Sequence, residues 1–119
     1  MKDIEVNEYV RTNKGNIGKV VEIRLGLNKN TELYQNVYML DNGLWTILDY
    51  ITNHSKQLID IIEVGEYVNG EKIVEISAYK DWIDIHSEVL FERDIQTILT
   101  KESYMANCYK VGGKEDESN

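Results

Sequence analysis

The segment VNEYV at residues 6–10 returns as VGEYV at residues 64–68. A second pair follows in the same order, because KVVEI at residues 19–23 returns as KIVEI at residues 72–76. Two matched segments in the same order are typical of an internal duplication in which each copy is one supersecondary unit. The chain is therefore predicted to contain two copies of one small β unit.

The two predicted units occupy residues 1–62 and 63–111. The 119 residues are 42% hydrophobic, which is enough for a packed core. A unit of under about 65 residues has only a small core and is marginally stable alone. We therefore expect the units to pack on each other, and we expect the charged residues 112–119 to be a disordered tail.

Turn signals and β-branched runs divide the first unit into five short strands. The clearest signal is a hairpin at Asp41-Asn42-Gly43, because Asn-Gly supplies the positive φ values of a tight turn. Residues 26–32 are predicted to form a loop, and the polar residues 52–55 a step before the last strand. The predicted strands are residues 8–10, 17–23, 36–40, 44–48 and 57–62.

The second unit is a trimmed copy, in which Asn69-Gly70 joins the first two strands directly. Thr100 is a favourable N-cap for a helical turn over residues 101–106, and residues 109–111 are predicted to form a closing strand. The other predicted strands are residues 73–78, 81–86, 89–91 and 94–99, of which the last is matched to residues 57–62.

Five short strands per unit are similar to an SH3-like small barrel, which curls and so protects its edges. The predicted fold is mostly β, with two tandem SH3-like barrels packed on each other and a short C-terminal helical turn. Residues 6–23 also resemble the start of KOW-type ribosomal and transcription-factor modules, which implies an RNA- or ribosome-associated role.

The net charge of −8 is concentrated in the second half of the chain. Residues 1–62 carry 7 Lys and Arg against 8 Asp and Glu, a charge of −1, whereas residues 63–119 carry 6 against 13, a charge of −7. Phosphate contacts dominate affinity for nucleic acid, so direct binding of nucleic acid is not expected. An acidic surface either attracts a basic partner or serves solubility.

No signal peptide is predicted, because residues 1–5 contain no apolar run. No membrane span is predicted either, because no stretch approaches the roughly 18 apolar residues that a span needs. The single Cys108 is typical of a reducing cytoplasm, where we expect the chain to act. Only Lys110 lies near Cys108 as a basic neighbour, so Cys108 is predicted to be structural. The pairs His54-Ser55 and His86-Ser87 point to opposite faces of a strand and form no dyad. The chain is predicted to be no enzyme and to use no cofactor or metal.

An acidic stretch with aromatic neighbours is the candidate partner-binding site, with a solvated strand face as its alternative role. Tyr79 and Trp82 would serve as anchors, as amphipathic aromatic residues do at interfaces. The predicted charged residues are Asp81, Asp84, Glu88, Glu92 and Asp94.

Other aromatic residues divide between core and surface. Tyr9 and Tyr67 occupy equivalent repeat positions and are expected to pack in the core or between the units. Trp45 and Trp82 follow hairpin turns and fit either environment. The tyrosines expected at the surface are Tyr34, Tyr38, Tyr50 and Tyr79.

Several stretches taken together resemble small phage and prophage proteins of Gram-positive bacteria. The resemblance implies a mobile-element origin, and small acidic phage proteins often disarm host defences. It brings no catalytic motif and therefore implies no functional residue. The segments that carry it are residues 8–12, 54–62, 64–70, 94–102 and 109–111.

The leading hypothesis is an inhibitor of a bacterial defence protein, of the anti-CRISPR kind, that occludes the basic nucleic-acid channel of an RNA-guided nuclease. A second hypothesis is a sponge for a nucleotide immune signal, which would bind phosphate through Arg11, Lys14, Lys19 and Arg24. The KOW-type module is the third, although the acidic charge argues against it.

Overall fold

The structure is a computed structural model that describes residues 3–107. Its first part is one five-stranded antiparallel sheet with the order β4-β3-β2-β1-β5. A 3₁₀ turn at Leu48–Tyr50 separates the fourth and fifth strands of this sheet in chain order, and a second 3₁₀ turn at Leu58–Ile61 follows the fifth strand. The strands are β1 (Tyr9–Thr12), β2 (Ile17–Asn28), β3 (Leu33–Leu40), β4 (Trp45–Ile47) and β5 (Ile51–Ser55).

The second part has six two-residue strands and a helix. A 3₁₀ turn at Glu92–Asp94 precedes its last strand. Its two sheets have the orders β10-β9-β8 and β11-β6-β7. The elements are β6 (Tyr67–Val68), β7 (Glu71–Lys72), β8 (Glu75–Ile76), β9 (Ile83–Asp84), β10 (Val89–Leu90), β11 (Ile98–Leu99) and helix α1 (Lys101–Asn107).

The two parts of the chain have the same strand order. β7 and β8 are separated only by residues 73–74, so together they correspond to β2. With that correspondence, β10-β9-β8/β7-β6-β11 repeats the order of the first sheet. The registers agree as well, because Tyr9 pairs with Lys19 and Tyr67 pairs with Lys72.

The VxEYV segment builds the same turn in both units. The residue before the glutamate has a positive φ, 78° at Asn7 and 96° at Gly65. Each glutamate then accepts a hydrogen bond from the backbone N–H three residues earlier, at 2.7 Å for Glu8 and 2.8 Å for Glu66. Asparagine and glycine both tolerate the left-handed region of backbone conformation, which explains why the first unit has Asn7 and the second has Gly65 at this repeat position.

The prediction of a mostly β chain with a short C-terminal helix is confirmed. Within residues 3–107, no hydrogen-bonded pairing of β4 with β5 closes the five-stranded sheet. Both predicted tight turns are present: Asn69 and Gly70 have φ values of 53° and 83°, and Gly43 has 89°. Thr100 stands just before α1, and its carbonyl accepts the N–H of Tyr104 at 2.9 Å.

The predicted loop at residues 26–32 is too long, because β2 continues to Asn28 and β3 begins at Leu33, so that only residues 29–32 form the turn. Backbone pairing extends these two strands beyond the part of the sheet that covers a core, although apolar and other residues still alternate over residues 23–28. The side chains of Leu25, Leu27 and Tyr34 there are more than half exposed.

The predicted last strand at residues 57–62 is also wrong, and so is its match to residues 94–99. The buried Ile51 and the polar residues 52–55 form β5, an edge strand that pairs with β1, and β11 pairs with β6 in the same way. Residues Leu58–Ile61 form a 3₁₀ turn whose Ile59 and Ile61 are buried. The apolar Ile59 and Ile61 are thus buried by a 3₁₀ turn and not by a strand. The edge strand β5 has mostly polar side chains, which are only partly buried.

Two apolar clusters form the interior, and Ile17 of the first unit packs against the second cluster. The first cluster comprises Ile4, Val10, Val20, Tyr38, Leu40 and Ile51. The second comprises Ile59, Ile62, Val68, Ile73, Ile83, Ile85 and Leu90. Tyr38 is 4% exposed, which overturns its prediction as a surface residue, whereas Tyr34, Tyr50 and Tyr79 are exposed as predicted.

Three predictions fall on residues 108–119, outside the described part of the chain: the structural Cys108, the closing strand at residues 109–111 and the tail at residues 112–119. In the part that is described, no helix has both the length and the apolar character needed to cross a membrane.

Candidate functional site

The outer surface of the β8-β9-β10 sheet carries two carboxylates side by side. Glu75 and Asp84 are directly paired across β8 and β9, and their partners in the next register position, Ile76 and Ile83, point into the core. Successive residues of a strand face opposite sides, so Glu75 and Asp84 share the outward side. Like charges directly opposite each other destabilise a sheet.

Two more carboxylates lie at the loop that joins β9 to β10. Glu88 is exposed and immediately precedes Val89, the partner of Asp84 on β10. Ser87 donates a hydrogen bond to Glu71 at 2.7 Å, which brings Glu71 to the loop between β9 and β10. We call Glu71, Glu75, Asp84 and Glu88 the acidic face.

The acidic face has no cationic partner within the described chain. The ion pairs formed among residues 3–107 involve Arg11, Arg24, His54, Lys56 and Lys101, and none includes a member of this face. Asp84 does accept the backbone N–H of His86 at 2.8 Å, which fixes its position. Among residues 3–107, the acidic face is therefore a patch of negative charge without an ion-pair partner.

Three other predicted site residues meet in a neighbouring shallow cleft of about 270 Å³. Tyr79, which is 90% exposed, Asp81 and Glu92 line it together with Lys80. Asp81 accepts a hydrogen bond from Ser77 at 2.5 Å. Tyr79 is thus available as an anchor, whereas Lys80 offsets part of the charge here.

Glu92 and Asp94 accept hydrogen bonds from backbone N–H groups of the same chain. Glu92 accepts the N–H of Ile59 at 3.2 Å, and Asp94 accepts the N–H of Phe91 at 3.0 Å at the start of the 3₁₀ turn. Trp82 is half-buried. Of the predicted set, Asp84 and Glu88 therefore belong to the acidic face. Glu75 is an addition that the strand register reveals, and Glu71 is one that its contact with Ser87 reveals.

A second surface feature is a cleft of about 320 Å³ in the first unit, which we call the aromatic cleft. Trp45 and Tyr50 line it and are 44% and 53% exposed. No carboxylate is among the residues that line it: Thr12, Asn13, Lys14, Asn16, Leu40, Leu44, Trp45, Thr46 and Tyr50.

The basic residues predicted to bind phosphate lie in different environments. Lys14 lines the aromatic cleft, and the guanidinium of Arg24 lies 5.5 Å from the centre of the Trp45 ring. Lys19 lies over the ring of Tyr9 at 5.3 Å instead. Arg11 is only 2% exposed, so it is unavailable to a ligand.

Arg11 instead joins the two units. Its guanidinium donates to both carboxylate oxygens of Glu66, to Glu102 of α1 at 2.6 Å and to the carbonyl of Ile61 at 2.9 Å. Burial lowers the pKa of Arg11, but the hydrogen bonds that it donates to its carboxylate partners raise this pKa well above its ordinary value. Arg11 therefore stays charged and holds three segments together.

Glu66 is the buried acceptor at the centre of this contact. Burial raises its pKa, but the hydrogen bond from Arg11 and those from the backbone N–H of Lys101 and Glu63 outweigh burial, so the net pKa is lowered. Its equivalent in the first unit, Glu8, is paired with His54 at 2.7 Å. The repeated glutamate thus has a different side-chain partner in each unit, His54 for Glu8 and Arg11 of the first unit for Glu66.

The two His-Ser pairs have no dyad geometry. His54 contacts Glu8 through Nδ1, whereas Ser55 donates to Asp60 at 2.5 Å. Ser87 donates to Glu71. Over residues 3–107, no group of three or more His, Cys, Asp and Glu side chains is arranged to hold a metal ion.

Comparison of the chain with protein-family models, with curated proteins and with solved structures gives no match.

Proposed function

We propose that this chain is a binding protein without catalytic activity that inhibits a nucleic-acid-handling protein of bacterial defence. Its target class is an RNA-guided nuclease, and its acidic face occupies the basic channel that otherwise holds the nucleic-acid backbone. The phage resemblance of the sequence supports this target class. The proposal depends on one observation above all, the uncompensated Glu75–Asp84 pair on an open sheet face.

The proposal follows from the electrostatic destabilisation that the Glu75–Asp84 pair causes. A fold under selection for stability alone would place opposite charges, or one charge and a neutral residue, at directly opposed positions of an exposed sheet. The surplus of negative charge in the second unit raises the same cost. A partner that supplies Lys and Arg side chains would offset both, because their ammonium and guanidinium groups pair with carboxylates.

The test is cleavage of target DNA by a panel of guide-loaded nucleases from Gram-positive bacteria in the presence of the chain. The decisive variant reverses three charges of the acidic face, Glu75→Lys, Asp84→Lys and Glu88→Lys. A matched control reverses three exposed carboxylates elsewhere, Asp3→Lys, Glu32→Lys and Asp49→Lys, and so changes the net charge equally.

The expected result is inhibition by the native chain and the control, and loss of inhibition by the acidic-face variant. Inhibition should also weaken as the salt concentration rises from about 50 mM to about 500 mM, because added salt shortens the Debye length and screens the attraction between the two charged surfaces. Equal inhibition by both variants would reject the acidic face as the contact, and inhibition of no nuclease in the panel would reject the target class.

A further inference from the structure

The aromatic cleft lies in the first unit, whereas the acidic face lies in the second. Aromatic residues and Lys14 line the cleft, in place of the carboxylates of the acidic face. The exposed Trp45 and Tyr50 and the buried Leu40 are among the residues that line the cleft. Its volume of about 320 Å³ is at the small end of the range of ligand clefts, roughly 300–1,000 Å³. The occupant is therefore small and presents a flat apolar surface.

The rim of the cleft offers hydrogen-bond donors without a negative charge. Asn13, Lys14 and Asn16 line it, and no carboxylate of residues 3–107 does, in a chain that has 21 Asp and Glu. None of the ion pairs among residues 3–107 includes Lys14. The rim therefore favours a ligand with an anionic group.

The loop that carries these donors is held in place from both sides. The N–H of Asn13 donates to the carbonyl of Tyr50 at 2.8 Å, and the hydroxyl of Thr12 accepts the N–H of Asn16 at 3.1 Å. On the other side, Thr100 at the start of α1 donates to the carbonyl of Gly15 at 2.7 Å. A loop fixed in this way loses little entropy on binding.

We infer that the aromatic cleft binds a nucleotide. The base would stack on Trp45 or Tyr50, since every base has a π-face, and the phosphate would pair with Lys14. Arg24 lies over the ring of Trp45, which helps to fix the indole. The small volume and the net charge of −8 favour a free mononucleotide over a nucleic-acid strand. This inference does not depend on the acidic face.

The experiment uses the fluorescence of Trp45. The chain has two tryptophans, so Trp82→Phe leaves Trp45 as the single reporter. The full-length variant is titrated with nucleoside 5′-monophosphates and cyclic mononucleotides, and separately with the matching nucleosides, inorganic phosphate and a single-stranded oligonucleotide of about ten residues. Backbone amide NMR shifts provide a second readout that does not depend on tryptophan.

The expected result is a saturable change in fluorescence with a nucleotide, with amide shifts confined to residues 12–16 and 40–50. Lys14→Ala should weaken nucleotide binding about tenfold and leave nucleoside binding unchanged, because only the charge-assisted contact is lost. Lys29→Ala, an exposed lysine outside the cleft, is the matched control and should change neither.

Three results would overturn the inference. The first is no saturable signal and no amide shifts with any nucleotide up to about 10 mM, a concentration above the millimolar range of weak affinity. The second is an unchanged nucleotide affinity in Lys14→Ala. The third is tighter binding of the oligonucleotide than of the mononucleotide, which would assign the cleft to a strand.

Discussion

Replacing Arg11 by methionine should destabilise the whole chain, because Arg11 links β1 of the first unit to Glu66 of the second unit and to Glu102 of α1. The arginine side chain is 3% exposed and that of Glu66 is 0% exposed. Methionine preserves much of the apolar stem but removes every donor. Glu66 would then be a buried carboxylate without its cation.

The magnitude follows from this burial. Removing one partner of a buried ion pair costs about 3–5 kcal/mol, because the remaining charge stays desolvated. Glu66 keeps hydrogen bonds from the backbone N–H of Lys101 and Glu63, so we expect the lower end, about 3 kcal/mol. Glu102 is 34% exposed and can turn to water, so its contact adds little.

The assay is urea denaturation followed by circular dichroism at neutral pH. With a urea m-value of about 1.5–2 kcal/mol/M, a loss of about 3 kcal/mol lowers the midpoint by about 1.5–2 M. A double-mutant cycle with Glu66→Gln isolates the pair, and the coupling free energy should exceed about 1 kcal/mol.

Arg24→Met is the matched control, because Arg24 forms an ion pair with Glu22 but its side chain is 66% exposed. It should cost less than about 1 kcal/mol. If Arg11→Met costs no more than Arg24→Met, or if the cycle with Glu66→Gln is additive, Arg11 does not hold the units together.

Three further changes test other parts of the structure. Because the pKa of Glu66 is lowered in the folded chain, its contribution is present above the unfolded value of about 4.3 and is lost as pH falls through the folded value; Arg11→Met should weaken this acid sensitivity in urea titrations below pH 5. Gly70→Ala should cost about 1 kcal/mol, from its φ of 83° alone, since an added Cβ meets nothing; Gly15→Ala should cost clearly more, since its Cβ would lie 2.2 Å from the Thr100 hydroxyl, and thermal melts compare the two. Glu75→Lys should raise stability by a few tenths of a kcal/mol and yet weaken partner binding, because it converts a like-charge pair with Asp84 into an opposite one; lower stability would show that the pair is not a cost.

The repeat predicted the strand order well, because the repeated residues are those that the fold constrains most. Asn7 and Gly65 must adopt positive φ, Glu8 and Glu66 must close the same turn, and Asn69-Gly70 must reverse the chain. These requirements are local, so they are visible in the sequence.

The predictions of secondary structure were wrong where tertiary packing, and not the local sequence pattern, decides the structure. The strand β5 is polar because it is an edge strand, and Leu58–Ile61 is apolar because a 3₁₀ turn buries it. Arg11 has the sequence character of a surface arginine, and only the packing of the second unit shows that it is buried.

The candidate sites were predictable only in part, for the same reason. Asp84 and Glu88 were visible as charge, but Glu75 joins them through strand pairing and Glu71 through its contact with Ser87. The aromatic cleft combines a loop at residues 12–16 with side chains about thirty residues later in the chain. No sequence spacing marks such a juxtaposition.

The most direct test of the proposed function is hydrogen–deuterium exchange of the full chain bound to a guide-loaded nuclease that it inhibits. Binding through the acidic face should slow exchange at residues 71–76 and 83–90 and leave residues 33–40 unchanged. Protection confined to the first unit, with none at residues 71–76 or 83–90, would contradict it.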